Sequence, residues 1–572
     1  MQVENSDIAA VLEEMADLLE IDGANPFRVR AYRNAARMLL DIGKDVREMI
    51  HAGEDLTRLP GIGKDLAQKI EEIVETGTFS DLEEMRKKVP RQLTELLDIA
   101  GLGPKRVGAL YRTLGITNSE QLFKACKEGK VSQLPGFGKK TEAKILEALK
   151  TKFTTTQRFL IAEAAPYAEA LKSYLQQVEG VRQVVVAGSY RRRKETVGDL
   201  DILVTAEPEA NPGDFFVRFP QVRDVLAKGS TKASIVLKNG MQVDMRVVEE
   251  ESFGACLHYF TGSKAHNIAI RKIAQKMGLK INEYGIFRGE ERIAGEEEGS
   301  VFEILGLDYI EPELREDRGE VEAAASGKLP RLITLGDLKG DLHVHTNYTD
   351  GNASIETMAQ EAKAFGLKYI AIADHSRRLR IANGLDSSNL LKQVDEIEEL
   401  NSKIKGFTIL KAIEVDILED GSLDLPDDVL KRLDLVVGAV HSKFNLPREK
   451  QTERLLRAME NPYLDILAHP TGRILLKRDP YDLDVDAVIS MAKETGVVLE
   501  LNANPYRLDL NDVYCRQAKE AGVKIAINTD AHSPAEYLNL SWGIGQARRG
   551  WLEPEDVINT LSVKKLLKAL RR

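Results

Sequence analysis

The sequence predicts a multidomain α/β protein: a helical N-terminal region, an α+β middle and a C-terminal, TIM-like barrel of seven βα units. Three observations predict it. At 572 residues the chain exceeds one ordinary hydrophobic core. From Leu338 onward, apolar runs of strand length alternate with amphipathic helices, the pattern of a βα repeat. Six of the nine histidines fall in that same stretch, and five of its runs end on histidine. These are Asp341-Leu-His343-Val-His345, Ala373-Asp374-His375, Ala439-Val-His441, Leu467-Ala-His469 and Thr529-Asp530-Ala-His532.

Residues 1 to 150 read as short helices, with apolar residues at helical spacing, as in Ile8, Val11, Leu12, Met15, Leu18 and Leu19. Three related turns punctuate them: Leu59-Pro-Gly61-Ile-Gly63, Ile99-Ala-Gly101-Leu-Gly103 and Leu134-Pro-Gly136-Phe-Gly138. From 155 to 315 strands and helices alternate; Val184–Ala187, Asp201–Val204, Ser234–Leu237 and Val243–Val248 are strand-like. Arg315 to Arg331 is charged and then rich in Ala, Gly and Ser, which reads as an exposed linker. The barrel strands expected beyond it are Asp341–Thr346, Tyr369–Asp374, Thr408–Val415, Leu433–His441, Asp465–His469, Val497–Asn502 and Lys524–Thr529.

Composition narrows the class. The 80 basic and 90 acidic residues leave a net charge of -10, which does not announce a nucleic-acid binder; binding, however, needs only local patches. Cys126, Cys256 and Cys515 are far apart and form no metal or redox motif, as suits a reducing compartment. No N-terminal signal pattern is present, and no stretch approaches the ~18 apolar residues of a membrane span. A soluble, cytoplasmic protein is expected.

Each region carries its own chemistry. A Gly-x-Gly turn entering a helix leaves backbone N–H groups free for a phosphate oxygen, and the helix N-terminus adds positive charge. A single such turn is explained equally well as a plain tight turn; here there are three. In the middle, Asp199 and Asp201 share one face of a strand while Leu200 faces the core. Asp244 offers a third carboxylate, and such oxygen sets hold Mg²⁺ for in-line phosphoryl transfer. A Gly188-Ser189-Tyr-Arg-Arg192 loop stands before them, with Gly198, to cradle a triphosphate; the plainer reading is a solvent-facing acidic turn. In the last third, His343 and His345 share a face, and the histidines come from successive strand ends. Imidazoles delivered to the same end of a barrel build a metal centre; otherwise they are unrelated core histidines. Arg473 and Lys443 are basic candidates for a scissile phosphate.

At this point the residues resemble a known family. Gly188-Ser189, Arg192, Gly198-Asp199-x-Asp201 and Asp244 look like the palm of a family X DNA polymerase. That resemblance implies that Asp199 and Asp201 bind two ions, Mg²⁺ or Mn²⁺, and that Asp244 joins the catalytic one. Tyr259-Phe260-Thr-Gly262-Ser matches the segment that crowds the sugar 2′ position, and Asn267 and Arg271 match minor-groove contacts. The three turns resemble helix-hairpin-helix motifs, implying a DNA-backbone grip through Gly61, Gly63, Gly101, Gly103, Gly136 and Gly138. Arg28, Tyr32 and Lys69 match the family's 5′-phosphate-binding domain, where the lysine can form a Schiff base in 5′-deoxyribose phosphate lyase chemistry.

The last third resembles the polymerase and histidinol phosphatase (PHP) domain, which implies a distorted seven-stranded barrel and a trinuclear site. Its nine ligand positions are His343, His345, Asp350, His375, Glu414, His441, His469, Asp530 and His532, with Asp350 where some members have histidine. Such a set suits three ions of Zn²⁺, Mn²⁺ or Fe.

The resemblance divides the chain into a 5′-phosphate-binding domain (1–88), a fingers-type helical domain (89–154), palm (155–250), thumb (251–315), linker (316–336) and PHP domain (337–572). It implies a bacterial, nucleoid-associated repair enzyme, and a monomer is the default expectation because the sequence shows no oligomerisation seam. Such an enzyme fills short gaps in primer–template DNA from dNTPs and trims 3′ ends by 3′–5′ exonuclease action. Abasic-site or 3′-phosphate cleavage is a further activity the resemblance allows beside the exonuclease; small phosphate esters as the barrel's substrate, and a DNA-binding scaffold without nuclease activity, are the alternatives.

Overall fold

The computed structural model describes residues 5–41, 46–51, 53–59, 61–90, 93, 96–97, 99 and 102–570. They form two compact units, Met1–Thr156 and Gln157–Arg572. No helix among the described residues is long and apolar enough to cross a membrane.

The first unit is helical. Helices Asn5–Asp22, Pro26–Asp41, Lys64–Thr76, Ser80–Lys88, Pro104–Leu114, Ser119–Lys127 and Lys139–Thr156 enclose a core that includes Leu12, Met15, Leu19, Ile70, Ile73, Leu110 and Ile145. Gly61 and Gly136 turn at φ +84° and +83°, a region open to glycine at little cost. Gly63 and Gly103 cap the helices that follow without any side-chain hydrogen bond. Their leading amides are therefore not satisfied by a capping side chain. Gly101 lies outside the described residues.

The second unit begins with a five-stranded sheet. Its order is Val181–Val186, Asp199–Ala206, Gln242–Val248, Lys232–Leu237, Val222–Lys228; only the second and third strands run parallel. Helices Phe253–Thr261, Lys264–Lys276 and Glu298–Ile304 and a small antiparallel sheet (residues 280–294) follow, packed around Ile270, Phe302 and Ile310.

The expected exposed linker is not one. Arg315 is fully buried, and Glu320–Ala325 is a helix whose Val321 and Ala324 join the core around Phe302. Glu320 is buried because His266 Nδ1 lies 2.8 Å from its carboxylate and the amides of Asp317 and Arg318 donate to it. Polar composition misleads when partners distant in sequence satisfy the polar groups.

The barrel follows. Parallel strands Gly340–Val344, Tyr369–Ile372 and Thr408–Lys411 form one sheet; Glu414–Asp416, Val437–Ala439, Ile466–Leu467, Val498–Asn502 and Ile525–Asn528 form a second. Parallel bridges Val344↔Ala531 and His375↔Glu414 join the two. The run Thr408–Val415, expected as one strand, changes partners at Ala412–Ile413 and serves both sheets. Counted as one broken strand, it makes the barrel seven-stranded. Leu342, Ala371, Val437, Ile466 and Ala526 share an apolar cluster with Leu566 and Leu570 of the C-terminal segment.

The barrel packs against the palm, the thumb and the segment after it. Arg473 donates to Glu195 at 2.7 and 3.2 Å, Arg548 to Glu313 at 2.8 Å, and Arg318 to Asp512 at 3.1 Å. Leu160 of the palm sits in an apolar cluster with Leu475 and Leu508 of the barrel.

Candidate metal centres

In the palm, the parallel ladder sets Asp201 directly beside Asp244 and Asp199 beside Gln242. Leu200, between the two acids, is fully buried, as strand alternation requires. Gly188 has φ +63°, and a Cβ there would stand 2.5 Å from Asp201 Oδ2, so glycine alone lets the loop close on that carboxylate. Asp244 accepts a short hydrogen bond from Ser234 Oγ and another from Gln242 Nε2 at 3.0 Å. Burial, then the charges of Asp199 and Asp244, push the Asp201 carboxyl up to about 7. Burial and Asp244 also raise Asp199. Acids crowded at this cost are the natural ligands of a divalent cation, which removes the repulsion.

The basic run after Gly188 is largely committed to the protein. Arg191 forms a forked pair with Glu298 at 2.6 and 2.7 Å. Arg192 donates Nε to Glu316 at 3.0 Å and Nη1 to the Thr261 carbonyl. Arg193 packs on Gly545 of the barrel, and Lys194 is half-buried with its pKa lowered by burial. Of the four, Arg192 remains the candidate for phosphate, held at the loop's end; Ser189 lies within the short helix Gly188–Arg191, and Gly198 directly precedes Asp199.

The sugar-side residues are brought together. Tyr259 and Phe260 meet edge to face at 5.2 Å, and Arg271 lies 5.9 Å from the Tyr259 ring. Asn267 is buried, donating to the Tyr259 carbonyl at 2.8 Å while its own Oδ1 has no partner. Gly262 caps this helix with φ +68°.

In the helical unit, Lys69 lies 2.8 Å from Asp65 and 3.0 Å from Asp81, above the buried Tyr32 ring. Burial alone would lower its pKa, but the carboxylates outweigh it and hold the ammonium above the ordinary lysine value. Schiff-base formation needs the opposite shift, so the expected lyase role is not supported. Arg28 pairs with Asp81, Arg33 with Asp17 and Glu20, and Arg86 with Glu14 and Glu83. These half-exposed pairs are worth little, and phosphates can compete for the same cations.

In the barrel, all nine expected ligands converge. Three groups have ligand atoms mutually within 4.8 Å: His345, Asp350, His375 and His532; His343, His345 and Asp530; His375, Glu414 and His441. His469 completes the set, its Nε2 3.1 Å from Glu414 Oε1. His345 and His375 each belong to two groups, so they stand between neighbouring sites. His345 Nδ1 and His343 Nε2, on fully buried rings, have no hydrogen-bond partner. Buried groups left so are costly unless a cation satisfies them. Glu414 and Asp530 are held well below the usual carboxylate range: burial opposes ionisation, but the surrounding imidazoles prevail. His345 is pushed down to about 3 by burial and by His375. Among the described residues, no other groups close to this spacing, and the palm acids do not.

A surrounding ring of acids, absent from the sequence reading, orients these ligands. Glu500 lies 2.8 Å from His343 Nδ1 and accepts from the His469 amide; Asp416 lies 3.1 Å from His441 Nδ1. Asp374 ties the first loop through Thr346, Thr349 and Gln393. The signal was present: Val498-Leu-Glu500-Leu-Asn502 sets an acid in an apolar strand, and it is fully buried. Arg473, expected near a scissile phosphate, is instead spent on Glu195 and the carbonyls of Arg507 and Leu508. Arg507 approaches the ligands, its Nε 3.8 Å from Asp530.

Fold and sites define a class: a nucleotidyltransferase palm joined to a metal-cluster phosphoesterase barrel. The chain matches the descriptions DNA polymerase beta palm over residues 160–273, DNA polymerase beta thumb over 256–316 and PHP domain over 341–504. It also matches a helix-hairpin-helix domain (3–79) and a SAM-like helix-hairpin-helix tandem (93–151). It is 41% identical, over 99% of both chains, to "DNA polymerase/3′-5′ exonuclease PolX" of Bacillus subtilis (strain 168). A "Probable phosphatase" of Thermoanaerobacter sp. (strain X514) is 32% identical over 41% of this chain and 95% of its own length. The solved polymerase beta of Leishmania infantum, a ternary P/T complex, is 22% identical with TM-score 0.32, over 40% of this chain and 98% of its own. The chain belongs to the family X DNA polymerases that carry a C-terminal PHP domain.

Proposed function

We propose that this chain fills short gaps in DNA from dNTPs and trims the 3′ end with its barrel, acting as a monomer in bacterial base excision repair. The observation that carries the reading is the coexistence, in one chain, of the Asp199, Asp201 and Asp244 edge and the nine converging barrel ligands. Mg²⁺ or Mn²⁺ at the palm acids supplies charge stabilisation for nucleotidyl transfer with pyrophosphate leaving. Arg192 holds the triphosphate beside Ser189, Gly188 and Gly198. Tyr259 and Phe260 exclude a ribose 2′-hydroxyl, and Asn267 and Arg271 contact the nascent pair. The glycine turns, with Arg28, grip the DNA backbone.

Three ions of Zn²⁺, Mn²⁺ or Fe fit the barrel donors, mixed imidazole and carboxylate, and supply Lewis acidity toward a phosphodiester. Glu500 and Asp416 fix the ring orientation of His343 and His441.

A second reading, a barrel acting on small phosphate esters, is favoured by the named phosphatase relative. One assay separates them, using a 5′-phosphorylated, single-nucleotide-gapped duplex with labelled primer. Asp199→Ala/Asp201→Ala is expected to lose extension and keep shortening; His343→Ala/His345→Ala is expected to do the reverse. Loss of shortening in both variants assigns degradation to the palm and refutes the nuclease. Phosphate release from sugar phosphates without any 3′ shortening favours the second reading.

A further inference from the structure

Directly after the ligand His375 the chain makes an outward excursion, Arg377–Asn383, before returning at Leu385. We propose that this loop seats the 3′-terminal strand of DNA. Its arginines hold the phosphates, and Ile381 wedges between the last bases, so that a separated 3′ end enters the barrel centre. The proposal rests on the nuclease reading above and names the surface that delivers its substrate.

The base of the loop is built rigidly. The Leu385 amide donates to the His375 carbonyl at 2.8 Å, and Ser376 bridges to Leu385. Asp424 accepts from Ser376 Oγ at 2.6 Å and from the Arg378 amide at 2.9 Å. Gly384 is obligatory, since a Cβ there would lie 1.9 Å from the Ser376 carbonyl oxygen. Asn383 takes φ +57°, the left-handed turn that short polar side chains tolerate. Ala382 is buried beneath.

The tip is the reverse. Ile381 is 93% exposed, more than any other large hydrophobic residue described. Single exposed apolar residues are ordinary on protein surfaces. This one is flanked by Arg377, Arg378 and Arg380, all exposed, and none of the three forms an ion pair with a carboxylate among the described residues. Several guanidinium groups elsewhere in this acidic chain are tied to carboxylates, as at Arg28, Arg33, Arg86, Arg191 and Arg192. Three guanidinium groups without ion pairs, within five residues of the ligand His375, are what an incoming phosphate chain needs to offset repulsion by Glu414, Asp350 and Asp530. An apolar side chain at the head of such a cluster matches the wedges by which proteins part base steps.

The loop leaves from the ligand itself: His375 Nε2 lies 3.4 Å from Asp350 and Nδ1 lies 2.6 Å from Glu414. One residue, Ser376, separates the loop from the ligand His375.

The test uses the full chain without dNTPs on a labelled single strand and on the same strand in a blunt duplex. Arg377→Ala/Arg378→Ala/Arg380→Ala is expected to raise KM on both by about tenfold and to flatten the salt dependence, with kcat nearly unchanged. Ile381→Ala is expected to keep its rate on the single strand and lose about tenfold on the duplex. Gap-filling extension by the same preparations reports that the proteins are folded. Wild-type behaviour of both variants on both DNAs overturns the proposal, and is also the outcome if the loop docks a protein. Equal loss by Ile381→Ala on both DNAs overturns the wedge. A strand ending in iododeoxyuridine, photo-cross-linked to the wild type, is expected to mark residues 377–383; cross-links confined to other segments overturn the seat. Cross-linking there without any shortening leaves the seat standing and refutes the nuclease reading instead.

Discussion

Glu298 joins the thumb to the phosphate loop of the palm, and its removal has a calculable consequence. Its carboxylate receives Arg191 at 2.6 and 2.7 Å, Arg315 at 2.6 Å and the Tyr309 hydroxyl at 2.7 Å. Arg315 is fully buried and the Glu298 side chain is 8% exposed, so this is an interior ion cluster. Removing one partner of a buried pair costs about 3–5 kcal/mol, because the other charge is left uncompensated. Glu298→Gln keeps an acceptor, so a loss of about 3 kcal/mol is expected.

Both tryptophans, Trp542 and Trp551, lie in the second unit, and Trp551 packs on the thumb core, so their fluorescence in urea reports that unit. The pH dependence gives the sharper check. Burial opposes ionisation of Glu298, but Arg191 and Arg315 prevail and hold its folded pKa well below the ordinary value. A depressed carboxylate contributes stability that is whole above its unfolded pKa of about 4.3 and lost as pH falls. The gap between wild type and Glu298→Gln should therefore be constant from pH 7 to 5. Below about pH 4.3 it should narrow by up to about 1.4 kcal/mol per unit. A gap under about 1 kcal/mol at pH 7, or one that does not narrow in acid, refutes the account. Arg191 also donates to Thr261 Oγ1 at 2.7 Å, fixing the helix that carries Tyr259 and Phe260. The variant should thus also show a raised dNTP KM.

Four further outcomes are expected. Because Asp201 sits up at about 7, ion binding at the palm must displace a proton; the Mg²⁺ midpoint for extension should rise about tenfold per unit below pH 7. A midpoint unchanged between pH 6 and 8 counts against that. Glu500→Gln should weaken barrel metal retention by about 10- to 100-fold, read as metal content after dialysis against chelator, with extension unaffected. Arg549 donates to the Arg192 carbonyl at 2.8 Å and to Glu316 at 2.9 Å, so Arg549→Ala should raise the dNTP KM severalfold although it lies in the barrel. An unchanged KM would sever that link. Lys69, kept protonated by Asp65 and Asp81, should not be trapped by borohydride on an incised abasic substrate; efficient trapping would show that DNA displaces those acids.

What was legible in the sequence, and what was not, divides by the range of the interactions. The palm acids and most barrel histidines were legible because strand periodicity assigns them a face or a strand end: Asp199 and Asp201 bracket a buried Leu200, and five apolar runs end on histidine, while Asp350 and Glu414 entered the ligand set through the resemblance to PHP domains. Charged residues were misread wherever a distant partner decides their fate. Arg473 looked free for a phosphate, yet Glu195, 278 residues away, takes it into the palm–barrel contact. Glu320 looked like linker surface, yet His266, 54 residues away, makes it core. The break of Thr408–Val415 into two strands was hidden for a related reason: both halves are equally apolar, and only closure of the barrel determines which neighbour each one pairs with. Local pattern therefore identifies which atoms can do chemistry, while long-range pairing decides which cations remain free to meet substrate. By that measure the unpaired arginines beside Ile381 are the cations left free near the barrel ligands, whereas Arg192 at the phosphate loop is held by Glu316 and meets substrate only from that fixed position.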